Sequence, residues 1–264
     1  MTTTAAISQA STRLRRAAAY RAPCPPVRDL LGDTDVDLAY QVQVASARQH
    51  VRQGHRRVGR KIGLTSTAVQ RQLGVDQPDF GVLFDDMLVP AGGVVPRDRL
   101  LQPKVEAEVA FWLGADLTGE LTVDGVRAAI RGACAAIEIV DSRIAGWDIS
   151  IVDTIADNAS SGMFVLSDRT VALSGLELAA VTMTLSVNGE PTSQGTGRDC
   201  LGDPLLAVLW LARTAVERGD PLRAGEIVLS GALGPMTAVR PGDVASAQIS
   251  GLGPIGVNFE GEAQ

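Results

Sequence analysis

Glu106 and Glu108 lie one residue apart in Val105-Glu106-Ala107-Glu108-Val109-Ala110-Phe111-Trp112, and Glu138 sits in Ala136-Ile137-Glu138-Ile139-Val140. Three acids inside apolar, strand-like runs are a candidate divalent metal site. Side chains two apart leave the same face of a strand, so Glu106 and Glu108 project together while Val105, Ala107 and Val109 take the other face. Ile137 and Ile139 flank Glu138 in the same alternation. The segment from Val123 to Cys134 has room for a helix that returns the chain, so a neighbouring strand can supply the third ligand. Crowded, half-buried carboxylates resist ionisation unless a cation holds them, and an all-oxygen set favours Mg²⁺ or Mn²⁺ over zinc. The competing reading of Glu106 and Glu108 is a solvated face of an edge strand. Glu138 favours the metal, because no basic residue follows it before Arg143.

Composition sets the limits. The chain has 264 residues, 45% hydrophobic, a net charge of −6 and no apolar stretch long enough to cross a bilayer. These values predict a soluble cytoplasmic protein with no membrane partner. The acidic balance, the 4% aromatic content and the lack of basic-aromatic interleaving argue against nucleic acid, although the first 28 residues run locally basic. Cys24, Cys134 and Cys200 cannot all pair and have no CxxC spacing, which suits buried or incidental thiols in a reducing compartment. His50 and His55 are the only two histidines, placed at a helix end and turn; a His-rich metal site or a Ser-His-Asp triad is not expected, and surface histidines are.

The stretch through Arg28 is rich in Ala, Ser, Thr and Arg and superficially like a transit peptide, but Ser11 to Tyr20 reads as a plain helix ended by Pro23, Pro25 and Pro26. A second helix is expected from Val36 to about Gln53, with Val36, Tyr40, Val44, Ala47 and Val51 on one face and Gly54 closing it. Residues 1–57 thus form an N-terminal helical region, and 58–264 a β-rich region continuous with it. Strands are expected from Val58 onward, at Phe80 to Phe84, Gly92 to Pro96, Met163 to Val165, Val181 to Val187 and Glu226 to Leu229. A helix from Pro204 to Arg218, capped by Asp203, carries Leu205, Val208, Leu209, Ala212 and Val216 on one side. The Gly-Pro runs at Gly231 to Pro235, Pro241 to Asp243 and Gly251 to Pro254 read as tight turns.

Four strings in order, Gly59-Arg60-Lys61-Ile62-Gly63-Leu64-Thr65, Gly74-Val75-Asp76-Gln77-Pro78-Asp79-Phe80-Gly81, Pro103-Lys104-Val105-Glu106-Ala107-Glu108 and Asp153-Thr154-Ile155-Ala156-Asp157-Asn158-Ala159-Ser160, resemble the 2-hydroxypenta-2,4-dienoate (2-keto-4-pentenoate) hydratases of the fumarylacetoacetate hydrolase superfamily. The similarity runs from about Tyr20 to Phe259. It implies an α+β fold, a mixed β-sandwich roll of the fumarylacetoacetate hydrolase type with an N-terminal helical region. It also implies Mg²⁺ or Mn²⁺ on Glu106, Glu108 and Glu138, and a homo-oligomer of the pentamer or decamer kind. A complex with a downstream aldolase of meta-cleavage degradation of aromatic compounds or steroids is a further expectation. The related 4-oxalocrotonate decarboxylases share the metal site and the lysine. Ser160-Ser161-Gly162 after Asp157-Asn158-Ala159 favours the hydratase over them.

Three carboxylates fill half of an octahedron and leave positions where a 2-oxo or 2-hydroxy acid can chelate through its carboxylate and C2 oxygen. A 2-hydroxydienoate then tautomerises to a 2-oxo-3-enoate by protonation at C5, and water adds at C4. Lys61 is the first candidate for holding the substrate or its enolate, against a plain surface-charge reading. Asp79 is the second, as a base, against turn capping. Leu64, Ser160 and Gly162 are candidate substrate-binding residues, although a tight turn explains Ser160 and Gly162 nearly as well; Asp157 and Asn158 are candidates for orienting their loop. The alternatives are 4-oxalocrotonate decarboxylation, C–C hydrolysis of an acylpyruvate, and a non-catalytic partner subunit stabilised by its metal.

Overall fold

A computed structural model describes residues 2–66, 70, 75 and 77–262; Gly74 and Asp76 of the second motif lie outside them. Helix α1 (Thr3–Tyr20) begins well before the expected Ser11. Arg21, in the left-handed conformation at φ 52°, closes it before the prolines are reached. Ala6, Ala10, Leu14 and Ala17 form its buried stripe at three- and four-residue spacing. A short helix α2 (Arg28–Leu31) follows, then α3 (Val36–Arg52), N-capped by Asp35 through the Leu38 amide.

The predicted face of α3 needs correction. Ala39, Tyr40, Val42 and Gln43 are buried, while Val44 and Val51 remain 45% and 52% exposed. The buried polar residue explains the rotation: Gln43 donates from Nε2 to the carbonyls of Phe80 and Ile155, so the core face is marked by a glutamine that an apolar count skips.

Then come β1 (Arg57–Gly63), β2 (Asp79–Phe84), β3 (Leu88–Val89), β4 (Val94–Val95), β5 (Lys104–Leu113), α4 (Val123–Ala129), β6 (Ile130–Val140), α5 (Ile151–Ala156) and β7 (Ser161–Leu166). The chain continues through β8 (Thr182–Val187), β9 (Glu190–Thr196), α6 (Pro204–Glu217), β10 (Ile227–Ala232), β11 (Thr237–Ala238), β12 (Val244–Ile249) and β13 (Gly253–Phe259). Asp203 caps α6 through the Leu205 amide as expected, but Val216 is 37% exposed and Ala215 is buried in its place. Gly231 and Ala232 belong to β10 rather than to a turn, and Gly253 and Pro254 open β13.

Among the described residues the strands form two mixed sheets. The larger runs β2-β1-β10-β5-β6-β7-β3, with β11 also on β5; the smaller runs β4-β13-β12-β8-β9. Alternation on β5 and β6 sorts side chains between two cores. Val105, Ala107, Val109 and Phe111, with Ile137 and Ile139, face the main core shared with the smaller sheet and the helices. Ala110, Cys134 and Ala136 face a second apolar cluster with Leu83, Phe84, Met87, Phe164 and Leu229. The larger sheet curls so that β2 and the turn Asp85–Met87 come against β7 and enclose this second cluster. Glu106, Glu108 and Glu138 continue its face towards one end of the roll, where apolar side chains give way to carboxylates.

Candidate metal and active site

Strands β5 and β6 are antiparallel, and their register places Glu106 directly opposite Glu138 and Glu108 opposite Ala136. Directly opposed residues share a face, and so do residues two apart, so three carboxylates converge. Their oxygens lie within 4.8 Å of one another. Glu108 and Glu138 are fully buried and Glu106 half-buried. Glu108 accepts a 2.8 Å hydrogen bond at Oε2 from the Gly231 amide, at the bulge where β10 shifts register against β5.

Lys61 reaches this cluster from β1. Its ammonium lies 3.1 Å from Glu138 Oε1 and donates to the Ala159 carbonyl at 2.9 Å. Burial opposes its charge, but attraction to Glu138, Asp79, Glu106 and Glu108 outweighs burial and raises its pKa, so Lys61 is protonated at neutral pH. Burial alone would lower the lysine pKa; the four surrounding carboxyls reverse the direction. Asp79 opens β2 opposite Gly63, two positions along from the Lys61–Gly81 pair, so it shares the Lys61 face. Gly63 is required there: a Cβ would stand 2.2 Å from Asp79 Oδ1. Asp79 does not cap a turn. Its Oδ2 accepts from the Thr154 hydroxyl at 3.2 Å, and burial pushes its carboxyl pKa up against the pull of Lys61.

Ser160 is buried beside these groups, its hydroxyl 3.3 Å from that of Thr154. Thr154 lies in a sequence motif with no local sign of a role, because its link to Asp79 spans 75 residues of chain. Leu64 follows Gly63 with φ 56° and is half-buried. Gly162 lies on β7, where a Cβ would meet the Ile139 carbonyl at 2.6 Å and Asp141 Cβ at 2.9 Å; close packing of β6 against β7 accounts for it.

Asn158, Ala159 and Ser160 are three consecutive non-glycine residues with positive φ, at 55°, 52° and 52°. Such a conformation costs roughly 1–2 kcal/mol per residue, so something must hold it. Asn158 does so by exchanging two hydrogen bonds with Val82, accepting from its amide at 2.8 Å and donating to its carbonyl at 2.9 Å. An amide side chain thus takes the place of a strand partner on the free edge of β2. Gly81 permits the approach, since a Cβ would lie 2.4 Å from the Asn158 carbonyl. Asp157 anchors the other side: Arg143 donates to it from Nε at 2.6 Å and from its backbone amide at 2.9 Å. The clamp sets the Ala159 carbonyl that receives Lys61.

The donor set fits a hard divalent cation. Glu108 Oε1, Glu138 Oε2 and Asp79 Oδ1 are buried oxygens with no hydrogen-bond partner among the described residues, and Glu138 Oε1 meets Lys61 only as an ion pair. Leaving such atoms unpaired costs about 1–3 kcal/mol each or more for charged groups. Burial, with repulsion from Glu138, raises Glu106 to about 7 and Glu108 well above its ordinary range. Glu138 is raised too, by burial against the pull of Lys61. A cation on the three carboxylates removes both penalties.

Residues 40–259 match the family model described as fumarylacetoacetate (FAA) hydrolase C-terminal. The chain belongs to the fumarylacetoacetate hydrolase family. It is 52% identical to a 2-keto-4-pentenoate hydratase of Paraburkholderia xenovorans (strain LB400), over 96% of this chain and 94% of that one. It is 41% identical to a 2-hydroxyhexa-2,4-dienoate hydratase of Comamonas testosteroni, over 89% and 90% of the two chains. Among solved structures, a 4-oxalocrotonate decarboxylase from Pseudomonas putida G7, complexed with magnesium and adipate, superposes with a TM-score of 0.93 at 32% identity, covering 98% of both chains. The expected family, α+β fold and N-terminal helices therefore hold.

The raised carboxylate pKa values set a pH dependence. Glu106 rises from the ordinary 4.5 to about 7, so the metal-free fold prefers its protonated form. Its contribution to stability is full below pH 4.5 and is lost as pH rises through about 7. Thermal melts of chelator-stripped protein should show stability falling between about pH 4.5 and 7, with added Mg²⁺ or Mn²⁺ raising the melting temperature more at the higher pH. For the clamp, Asn158→Ala should lower turnover by about tenfold or more while metal affinity, measured by titration, stays within a few-fold of wild type.

Proposed function

We propose that this chain is a metal-dependent hydro-lyase adding water to 2-hydroxypenta-2,4-dienoate, or to a slightly longer 2-hydroxydienoate, the pentadienoate giving 4-hydroxy-2-oxopentanoate. The observation that carries this reading is the single buried cluster in which three carboxylates meet a protonated Lys61, 3.1 Å from Glu138, with Asp79 beside it. Glu106, Glu108 and Glu138 would hold Mg²⁺ or Mn²⁺. When bound, the ion supplies Lewis acidity at the substrate C2 oxygen, where negative charge develops as water adds at C4. The all-oxygen donor set and the magnesium in the decarboxylase complex support that choice of ion.

Lys61 has three donors; the Ala159 carbonyl takes one and Glu138 pairs with its charge, which leaves a donor for a substrate oxygen. Its role is to stabilise developing enolate charge. Asp79, with one oxygen on Thr154 and the other without a partner among the described residues, is the base in this reading, taking a proton from the enol or from the attacking water and returning it at carbon. Ser160 offers its hydroxyl to the substrate carboxylate, and Leu64 an apolar wall for the hydrocarbon end. Gly162 stays a weaker candidate for contact with substrate.

Hydration is favoured over decarboxylation because identity is 52% to a hydratase against 32% to the decarboxylase, whereas the shared fold separates neither. A non-catalytic metal subunit would have no need of Lys61 and Asp79 in the same cluster. Acylpyruvate hydrolysis ranks below both. His50 and His55 stand by the turn after Phe84, at the opposite end of β2 from Asp79, about 15 Å along the strand. Meta-cleavage catabolism in the cytoplasm is the expected setting, and no described helix is long and apolar enough to cross a membrane. A homo-oligomer, and a complex with a downstream aldolase, belong to the same reading; Val44 and Val51, exposed on one side of α3, support a self-association surface.

The test is an assay of chelator-stripped protein with 2-hydroxypenta-2,4-dienoate, with and without Mg²⁺ or Mn²⁺, following the diene absorbance and identifying the product. Metal-dependent formation of 4-hydroxy-2-oxopentanoate is expected. Glu106→Gln should abolish it with the fold retained, and Lys61→Ala should cut kcat by about 10²–10⁴-fold with metal binding intact. Carbon dioxide release from the dicarboxylate, without hydration of the dienoate, would overturn the assignment in favour of the decarboxylase.

A further inference from the structure

A second cluster of ligating side chains lies away from the carboxylate site. His50 ends α3, His55 follows in the turn before β1, and Asp86 sits in the turn after β2. One ring nitrogen of each histidine and one Asp86 oxygen lie within 4.8 Å of one another. Asp86 Oδ1 is 2.9 Å from His50 Nε2 and 3.5 Å from His55 Nδ1. Asp85 adds a second carboxylate 3.9 Å from His55 Nδ1. With only two histidines, at a helix end and a turn, the sequence leads one to expect surface histidines and no His-rich metal site; the structure unwinds the chain after Arg52 and folds His55 back over His50.

The surroundings fix these groups. Arg99 donates to Asp86 Oδ2 at 3.1 Å and to the Asp86 carbonyl at 3.1 Å, turning Oδ1 towards the imidazoles. Arg56 holds Asp85 through its backbone amide and Nε, both at 3.0 Å. The His50 ring stands edge-on to Phe84, with centroids 4.5 Å apart, and stacks on His55 at 4.1 Å and 17°. Carboxylates held from behind by arginine, and a ring seated on an aromatic, are the outer contacts that orient metal ligands. The side chains are about a fifth to a third exposed, at 32%, 36% and 21% for His50, His55 and Asp86, so an ion can enter and keep water on its remaining positions.

We propose that His50, His55 and Asp86 form a second metal site, selective for a borderline transition ion such as Zn²⁺. The selectivity follows from charge and donor type. Arg56 and Arg99 offset the two aspartates, so Coulomb attraction gives hard Mg²⁺ little reason to bind, whereas two imidazoles and a carboxylate suit Zn²⁺ with bonds of about 2.0–2.2 Å. Small ring rotations bring the three donors onto one centre. The bound ion would tie the end of α3 to the end of β2, and the proposal does not depend on the hydratase reading.

Zn²⁺ alone is the probe, added to chelator-stripped full-length Glu108→Gln protein so that the carboxylate site is disabled. Titration against a chromophoric chelator should give one Zn²⁺ per chain, and zinc X-ray absorption should show imidazole scattering from two histidines. Adding His50→Asn should weaken binding at least tenfold; His55→Gln, at the more exposed ring, serves if that variant fails to fold. Absence of zinc uptake by the Glu108→Gln protein, a spectrum of oxygen neighbours only, or unchanged affinity in the histidine variant would overturn the site.

Discussion

Four carboxyls, three buried and Glu106 half-buried, gathered around one ammonium are the constraint on which the rest of this molecule turns. Fully ionised, Glu106, Glu108, Glu138 and Asp79 exceed the charge of Lys61 by three, with several oxygens lacking a partner among the described residues. A fold does not keep such an arrangement for stability, because a buried charge without compensation costs several kcal/mol. The same deficit makes a divalent cation welcome, holds Lys61 protonated and raises the neighbouring carboxyls towards the pH range where proton transfer is useful. Stability lost to repulsion becomes affinity for the ion.

The backbone around the cluster is shaped to bring side chains closer than ordinary strands permit. Gly63 leaves space for Asp79, Gly81 lets the Asn158 turn lie against β2, and the β10 bulge turns the Gly231 amide onto Glu108. The left-handed turn at residues 158–160 stores strain that Asn158 and the Arg143–Asp157 pair contain. These contacts join β1, β2, β5, β10 and the turn at residues 158–160 around the cluster, and a framework of that kind is what precise placement of side chains requires.

Much of the carboxylate site was legible in the sequence, because strand alternation is a strict rule. Period two placed Glu106 and Glu108 together, and isoleucines on both sides of Glu138 marked a buried strand. The exact opposition of Glu106 and Glu138 was not legible, since register depends on where α4 releases the chain into β6. The Thr154–Asp79 and Asn158–Val82 links were out of reach for a similar reason: both join segments about 75 residues apart. Gln43 misled the reading of α3, as a buried amide serving two carbonyls looks like a surface residue in an apolar count. Strands β9, β12 and β13 escaped notice because Ser, Thr, Gly and Gln dilute their alternation. Two histidines at a helix end and a turn read as surface residues, and only the fold of the turn after α3 stacks them together.

The central claim is that the three glutamates act together as one cation site, and titration of chelator-stripped protein with Mn²⁺, followed by electron paramagnetic resonance, tests it most directly. One Mn²⁺ per chain is predicted, with affinity lost in Glu138→Gln although that residue lies about thirty positions from the other two. Binding that survives Glu138→Gln unchanged, or no binding by the wild-type protein, would contradict the account.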